Sequence, residues 1–178
     1  MIPTLSEFGI EAPAYIRKID SRARWNPEGW NTIEERARLV AEKLFREPAN
    51  LYSVWLVSTD REFYSVVASL SEYRSPKNQD IDFIWMTESE LQEVGISTEN
   101  KPEGGCLHAQ SLHFNVQIDI RTAERLCGYL IRKGREPKRC KKYNTTLILA
   151  HQKQLGCKAT PSDLEHCECE QPQGRVLT

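Results

Sequence analysis

Between Ile33 and Phe45 the apolar residues return every third or fourth position, at Ile33, Ala37, Val40, Ala41, Leu44 and Phe45. That spacing places them on one face of a helix, so an α-helix is predicted over 32–46. Asn31 can accept from the first free amides and Glu34 follows three positions on, as a capping box requires. Pro48 ends the element. The next run, "LYSVWLVS" at 51–58, is apolar on both alternating faces, which suits a central strand covered on both sides. Thr59 and Glu62 offer a second capping box. Beyond them Phe63, Val66, Val67, Leu70 and Tyr73 form the stripe of a second helix. "DIDFIWMT" at 80–87 reads as another strand, and Thr87 with Glu90 caps a short helix closed by Gly95.

Strict alternation returns at 112–119. Leu112, Phe114, Val116 and Ile118 fall on one side, and His113, Asn115, Gln117 and Asp119 on the other. A strand over 106–119 with one buried and one wetter face is predicted. Asp119 then caps a helix that turns Ala123, Leu126, Cys127 and Leu130 inward. "KYNTTLILAHQKQLG" fits a helix that stops at Gly156. "AYIRKID" near the start has the length of a short strand, and "RWNPEGWN" reads as a loop with two tryptophans. The succession of helices and strands predicts a single layered α/β domain, a sheet of three to five strands flanked by helices. One helix separates strands 51–58 and 80–87, so a right-handed parallel crossover is expected for that pair. The expected organisation is an N-terminal extension over 1–30 packed on the domain, an α/β domain over 31–158, and an acidic tail containing Cys and His over 159–178.

The chain has 178 residues, 39% hydrophobic and 28% charged, which is ordinary for one globular domain. No apolar run reaches the roughly 20 residues of a membrane span. The opening "MIPTLSEFGIEAP" lacks the features of a signal peptide, so a cytoplasmic location is expected, with no membrane contact. There the six cysteines are thiols or metal ligands rather than disulfides.

Cys106, His108 and His113 lie close together in the sequence. On a strand, Cys106 and His108 share one face and His113 takes the other, which argues against a Cys106–His113 nucleophile and base. Zinc binds Cys and His tetrahedrally. Cys106, His108, Cys157, His166, Cys167 and Cys169 are enough to supply a site, but no CxxC or HxxxH spacing occurs. The favoured reading makes Cys106 and Cys127 small core fillers. No cofactor is expected, and zinc is the alternative. Asp80 and Asp82 share one strand face and suit a hard cation, although a polar strand edge is the preferred reading. His113, Asn115 and Gln117 form a polar row suited to a ligand groove. An enzyme using that row with His113 as acid or base is the alternative function.

The net charge is −1, yet it is unevenly spread. Residues 132–142 carry Arg132, Lys133, Arg135, Lys138, Arg139, Lys141 and Lys142 against one acid, Glu136. With Gly134 and Pro137 inside it, this stretch reads as an exposed basic loop, and Tyr143 beside it can stack on a base. The leading expectation is a small binding module that engages an acidic partner, protein or nucleic acid, through this loop. No phosphate-loop, dinucleotide, serine-hydrolase or zinc-protease motif occurs. Trp55 and Trp85 are expected in the core. Trp25 and Trp30 are expected either to pack locally or to anchor a partner.

Overall fold

The computed structural model describes residues 1–45, 51–72, 80–103 and 107–157. Within these residues six strands form one sheet: β1 (Ala14–Ile19), β2 (Leu51–Val57), β3 (Ile81–Met86), β4 (Thr98–Asn100), β5 (His113–Gln117) and β6 (Lys138–Cys140). Their order is β4-β5-β2-β1-β3-β6 and every neighbouring pair is antiparallel. Among the described residues six α-helices accompany them: α1 (Ile33–Leu44), α2 (Asp60–Glu72), α3 (Glu88–Glu93), α4 (Leu107–Ser111), α5 (Ile120–Arg132) and α6 (Lys142–Gln154). The α/β class therefore holds, with one strand more than expected.

β2 and β3 do run in the same direction, but they are not neighbours. β1 lies between them and pairs antiparallel with both. The expected adjacent parallel crossover is thus replaced by a split pair, opened by a strand from the segment read as an N-terminal extension. β1 is buried on both faces, Tyr15 and Ile19 towards one layer and Ala14 and Ile16 towards the other.

Each sheet face carries a helix layer. α1, α3 and α5 cover the face that bears Tyr52, Val54, Ile84 and Val116. α2, α4 and α6 cover the face that bears Val57, Ile81, Phe83 and Trp85. Local signals set the helix starts. Thr59 accepts from Glu62 N while the Glu62 carboxylate accepts from Thr59 N at 2.9 Å. Thr87 and Glu90 make the same reciprocal pair, and Asp119 accepts from Thr122 N. For α1 the box sits one residue later than predicted, on Thr32 and Glu35, and Asn31 N donates to the Glu35 carboxylate.

Two further expectations need correction. The strand predicted from Cys106 begins only at His113. Residues 107–111 form α4, because the chain turns back on itself through Ser111 Oγ to His108 O and Leu112 N to Ala109 O. His108 therefore sits on a helix and shares no strand face with Leu112. The second correction is to the basic run, which is not one exposed loop. It ends α5, contributes the edge strand β6 and starts α6.

Trp85 is buried as expected, and Trp55 is half-buried. Trp25 is buried and donates from Nε1 to Arg135 O at 2.9 Å, so it packs locally. Trp30 is 37% exposed beneath the Arg36 guanidinium.

Candidate functional site

The pleat of β6 sorts the basic run. Arg139 faces Asp82 across the β3–β6 ladder and grips it with two hydrogen bonds, of 2.6 and 2.7 Å. Lys138 points to the other face, where its Nζ lies beside Gly9. Burial works to raise the Asp82 carboxyl. The Arg139 guanidinium and the Arg22 amide outweigh it and hold the group below its ordinary value. Asp80 also meets Arg139 and accepts from Lys142 N. Asp80 and Asp82 are thereby committed to protein cations and amides, which removes the hard-cation reading of that pair.

Arg135 is committed too. It pairs with Glu90 at 2.5 Å, and its guanidinium carbon stacks 3.3 Å from the Trp85 ring centroid. Arg132 meets Glu34 at 3.5 Å, and Lys133 lies over the Tyr129 ring. Arg132 and Lys133 remain exposed, and so does a lysine face at the start of α6. Lys141 and Lys142 are exposed, Lys138 is half-buried, and Tyr143 is 70% exposed. Of the eight expected contact residues, Arg135 and Arg139 are held by carboxylates of the fold, while Arg132, Lys133, Lys141, Lys142 and Tyr143 are exposed and Lys138 is half-buried.

A second site lies where the sheet opens. The β1–β2 ladder runs from Ala14–Val57 to Ile16–Trp55 and goes no further. β1 nevertheless continues along β3 to Ile19, and β2 continues along β5 back to Leu51. The two strands therefore part below Trp55. The Arg17 guanidinium packs against both the Phe45 and Tyr52 rings and donates to Ser53 O and Leu44 O. The guanidinium thus satisfies carbonyls near the parting strands, as buried polar groups demand. Lys18, on the opposite face, donates from Nζ to Leu70 O at 3.0 Å near the end of α2, where a cation complements the helix dipole. The opening is a cleft of about 1020 Å³.

His113 lines this cleft. It pairs with Trp55 across the β2–β5 ladder, and the two rings meet edge to face at 5.1 Å. Its Nδ1 lies 2.6 Å from Lys101 O. A carbonyl only accepts, so Nδ1 carries a proton and donates it to Lys101 O. On the side of β5 expected to be wetter, His113 and Asn115 are covered, 2% and 8% exposed, while Gln117 and Asp119 are open to water. Lys18 and Glu103 line the same cleft, so a titratable histidine, a cation and a carboxylate share one concavity. Arg17, Lys18, Ser53 and Trp55 were not singled out as site residues from the sequence. Their signal was faint: two adjacent cations inside a six-residue strand, and one serine inside an apolar run.

Of the zinc candidates, Cys106, His166, Cys167 and Cys169 lie outside the described residues. His108 is buried and its Nδ1 lies 2.7 Å from Ser65 Oγ, while Cys157 is buried. Among the described residues no group of three or more His, Cys, Asp or Glu is placed to hold a metal ion. Burial pushes the Cys127 and Cys140 thiols up, which makes them poor nucleophiles and fits core packing. Also among the described residues, no helix is long and apolar enough to cross a membrane. No known family model, curated protein or solved structure matches this chain.

Proposed function

We propose that the chain is a binding module whose lysine face, Lys138, Lys141, Lys142 and Tyr143, engages an acidic polymer. One observation carries the reading. Tyr143 is the most exposed aromatic side chain among the described residues, and it stands beside two exposed lysines. Burying an apolar ring in water's absence is favourable, so a ring left this open is a ready contact for a partner. Lysines around it neutralise phosphates or carboxylates, and the ring offers a stacking surface for a base. A nucleic-acid strand is the favoured partner on that ground, and an acidic protein segment is the alternative.

The test is fluorescence anisotropy with labelled oligothymidylate, labelled oligouridylate and labelled polyglutamate over a range of KCl. Saturable oligonucleotide binding is expected. Its salt slope should shrink by about 0.7 for each lysine replaced by glutamine, up to about 2 for the Lys138, Lys141 and Lys142 triple variant. Tyr143→Ala should weaken binding by about tenfold. Arg139 is left intact because its pairing with Asp82 belongs to the fold. Binding of polyglutamate alone moves the reading to an acidic protein. Binding of none, or a slope the triple variant leaves unchanged, overturns it.

A further inference from the structure

We infer that the lysine face continues along the outer side of α6, and that its ligand is a single nucleic-acid strand laid lengthwise on the helix, with Lys153 as a second phosphate anchor. The inference rests on the lysine face being a nucleic-acid contact, and it adds the direction, length and strandedness of the ligand.

The sequence of α6 is apolar on two sides. Its buried residues are Thr145, Ile148 and Gln152, and it packs on α2. At roughly 3.6 residues per turn, the side turned away from them bears Tyr143, Leu147 and Ala150, at i, i+4 and i+7. Tyr143 and Ala150 are exposed and Leu147 is half-buried. A surface helix ordinarily turns a charged or polar face to water, whereas this one turns an aromatic ring and, beyond it, a low apolar strip. Lys142 and Lys153 are both exposed and stand almost in line along one margin of the strip. At about 1.5 Å of rise per residue, they are about 16 Å apart along the axis.

The charge along this face is of one sign. No acidic residue occurs between Glu136 and Asp163. Among the described residues no carboxylate forms an ion pair with the Lys141, Lys142 or Lys153 side chains. Asp80, which accepts from Lys142 N, is taken up by Arg139. Asp60 and Glu7 lie near Tyr64, whose ring meets His151 on the flank turned towards α2. Two aligned cations on an acid-free margin suit a polyanion whose charges repeat along a line.

The ring decides the strandedness. Stacking on Tyr143 needs the open face of a base, which a duplex keeps between neighbouring pairs and a single strand offers. Past the ring, Leu147 and Ala150 put no bulk in the path, so the following nucleotides can lie close to the helix while their phosphates pass Lys142 and then Lys153. Stacked nucleotides advance about 3.4 Å each, so the distance between the two lysines corresponds to about five of them.

The experiment is fluorescence anisotropy of the full chain with labelled oligothymidylates, a trimer, a hexamer and a dodecamer, and with a duplex of the dodecamer's length. Affinity should climb steeply from trimer to hexamer and slowly thereafter, and the duplex should bind more weakly than the dodecamer. Lys153→Gln should weaken the hexamer about fivefold at about 0.1 M KCl and lower its salt slope by about 0.7, while leaving the trimer within about twofold. Ala150→Glu places an acid on the strip and should act on the hexamer by a similar factor. Both positions are exposed on a helix, and circular dichroism checks that each variant is folded. Three outcomes overturn the inference and leave the reading of the lysine face standing: the trimer binds as tightly as the hexamer, folded Lys153→Gln and Ala150→Glu proteins bind the hexamer as the parent does, or the duplex binds as tightly as the dodecamer. If no oligonucleotide binds, reading and inference fall together.

Discussion

At the scale of single residues, charge is spent on the fold where the chain is richest in it. Asp82 is buried on β3 and takes two hydrogen bonds from Arg139 and one from the Arg22 amide. Its folded pKa lies below its ordinary value despite the opposing effect of burial. A carboxyl of that kind stabilises the folded state fully above its unfolded pKa of about 4 and loses the contribution as pH falls through the lower folded value. Asp82→Asn should therefore cost about 2 kcal/mol at neutral pH, less than for a wholly buried pair because Arg139 is partly exposed. The gap between variant and parent should narrow steadily as pH drops below about 4. Urea denaturation of both proteins across that range reads the difference directly. A gap independent of pH would assign the stabilisation to packing rather than to charge. Arg135 follows the same logic by different means, joining Glu90, Trp85 and Trp25 at one point.

At the scale of elements, helix starts are where local chemistry decides. Thr32→Ala should cost about 1 kcal/mol, the usual worth of a hydroxyl cap. Glu90→Ala should cost more, about 2–3 kcal/mol, because that carboxylate both closes the α3 cap and pairs with Arg135. Chemical denaturation of the two variants ranks them, and the reverse order would mean that the Arg135 contact adds nothing. These caps were legible in the sequence because a capping box lies within four residues. Thr59 with Glu62, Thr87 with Glu90, and Asp119 all announced their helices, and only α1 slipped by one position. The strands were legible as segments but not as neighbours. Nothing near Ala14–Ile19 says that it will sit inside the sheet, since that depends on β2 and β3. The edge strands β4 and β6 are three residues each, too short for a period of two to stand out. α4 was read as strand because the alternation beginning at Leu112 was extended backwards through a turn. The cleft was illegible for the same reason as the sheet order: it exists only because one ladder stops where two others continue.

At the scale of the whole molecule, β1 joins the two halves of the sheet. Removing residues 1–20 should leave no folded remainder, because β2 and β3 would each lose a neighbour and both cores would lose apolar cover. Circular dichroism and the dispersion of NMR amide signals would report it. A truncated protein that keeps a native-like spectrum would show that β2 and β3 can close directly against each other. The position of that strand also dictates a schedule. β1 leaves the ribosome before β2 and β3, yet Tyr15 finds Leu56 only after α1 is made, and Met86 only after α2. Such distant partners make assembly slow. During synthesis an apolar strand must wait with both edges bare, a state prone to aggregation that chaperones shelter. β1 therefore keeps one bare edge until Ile81–Met86 emerges and closes it, and the bare edges then pass outward to β2 and β3 until β5 and β6 cover them.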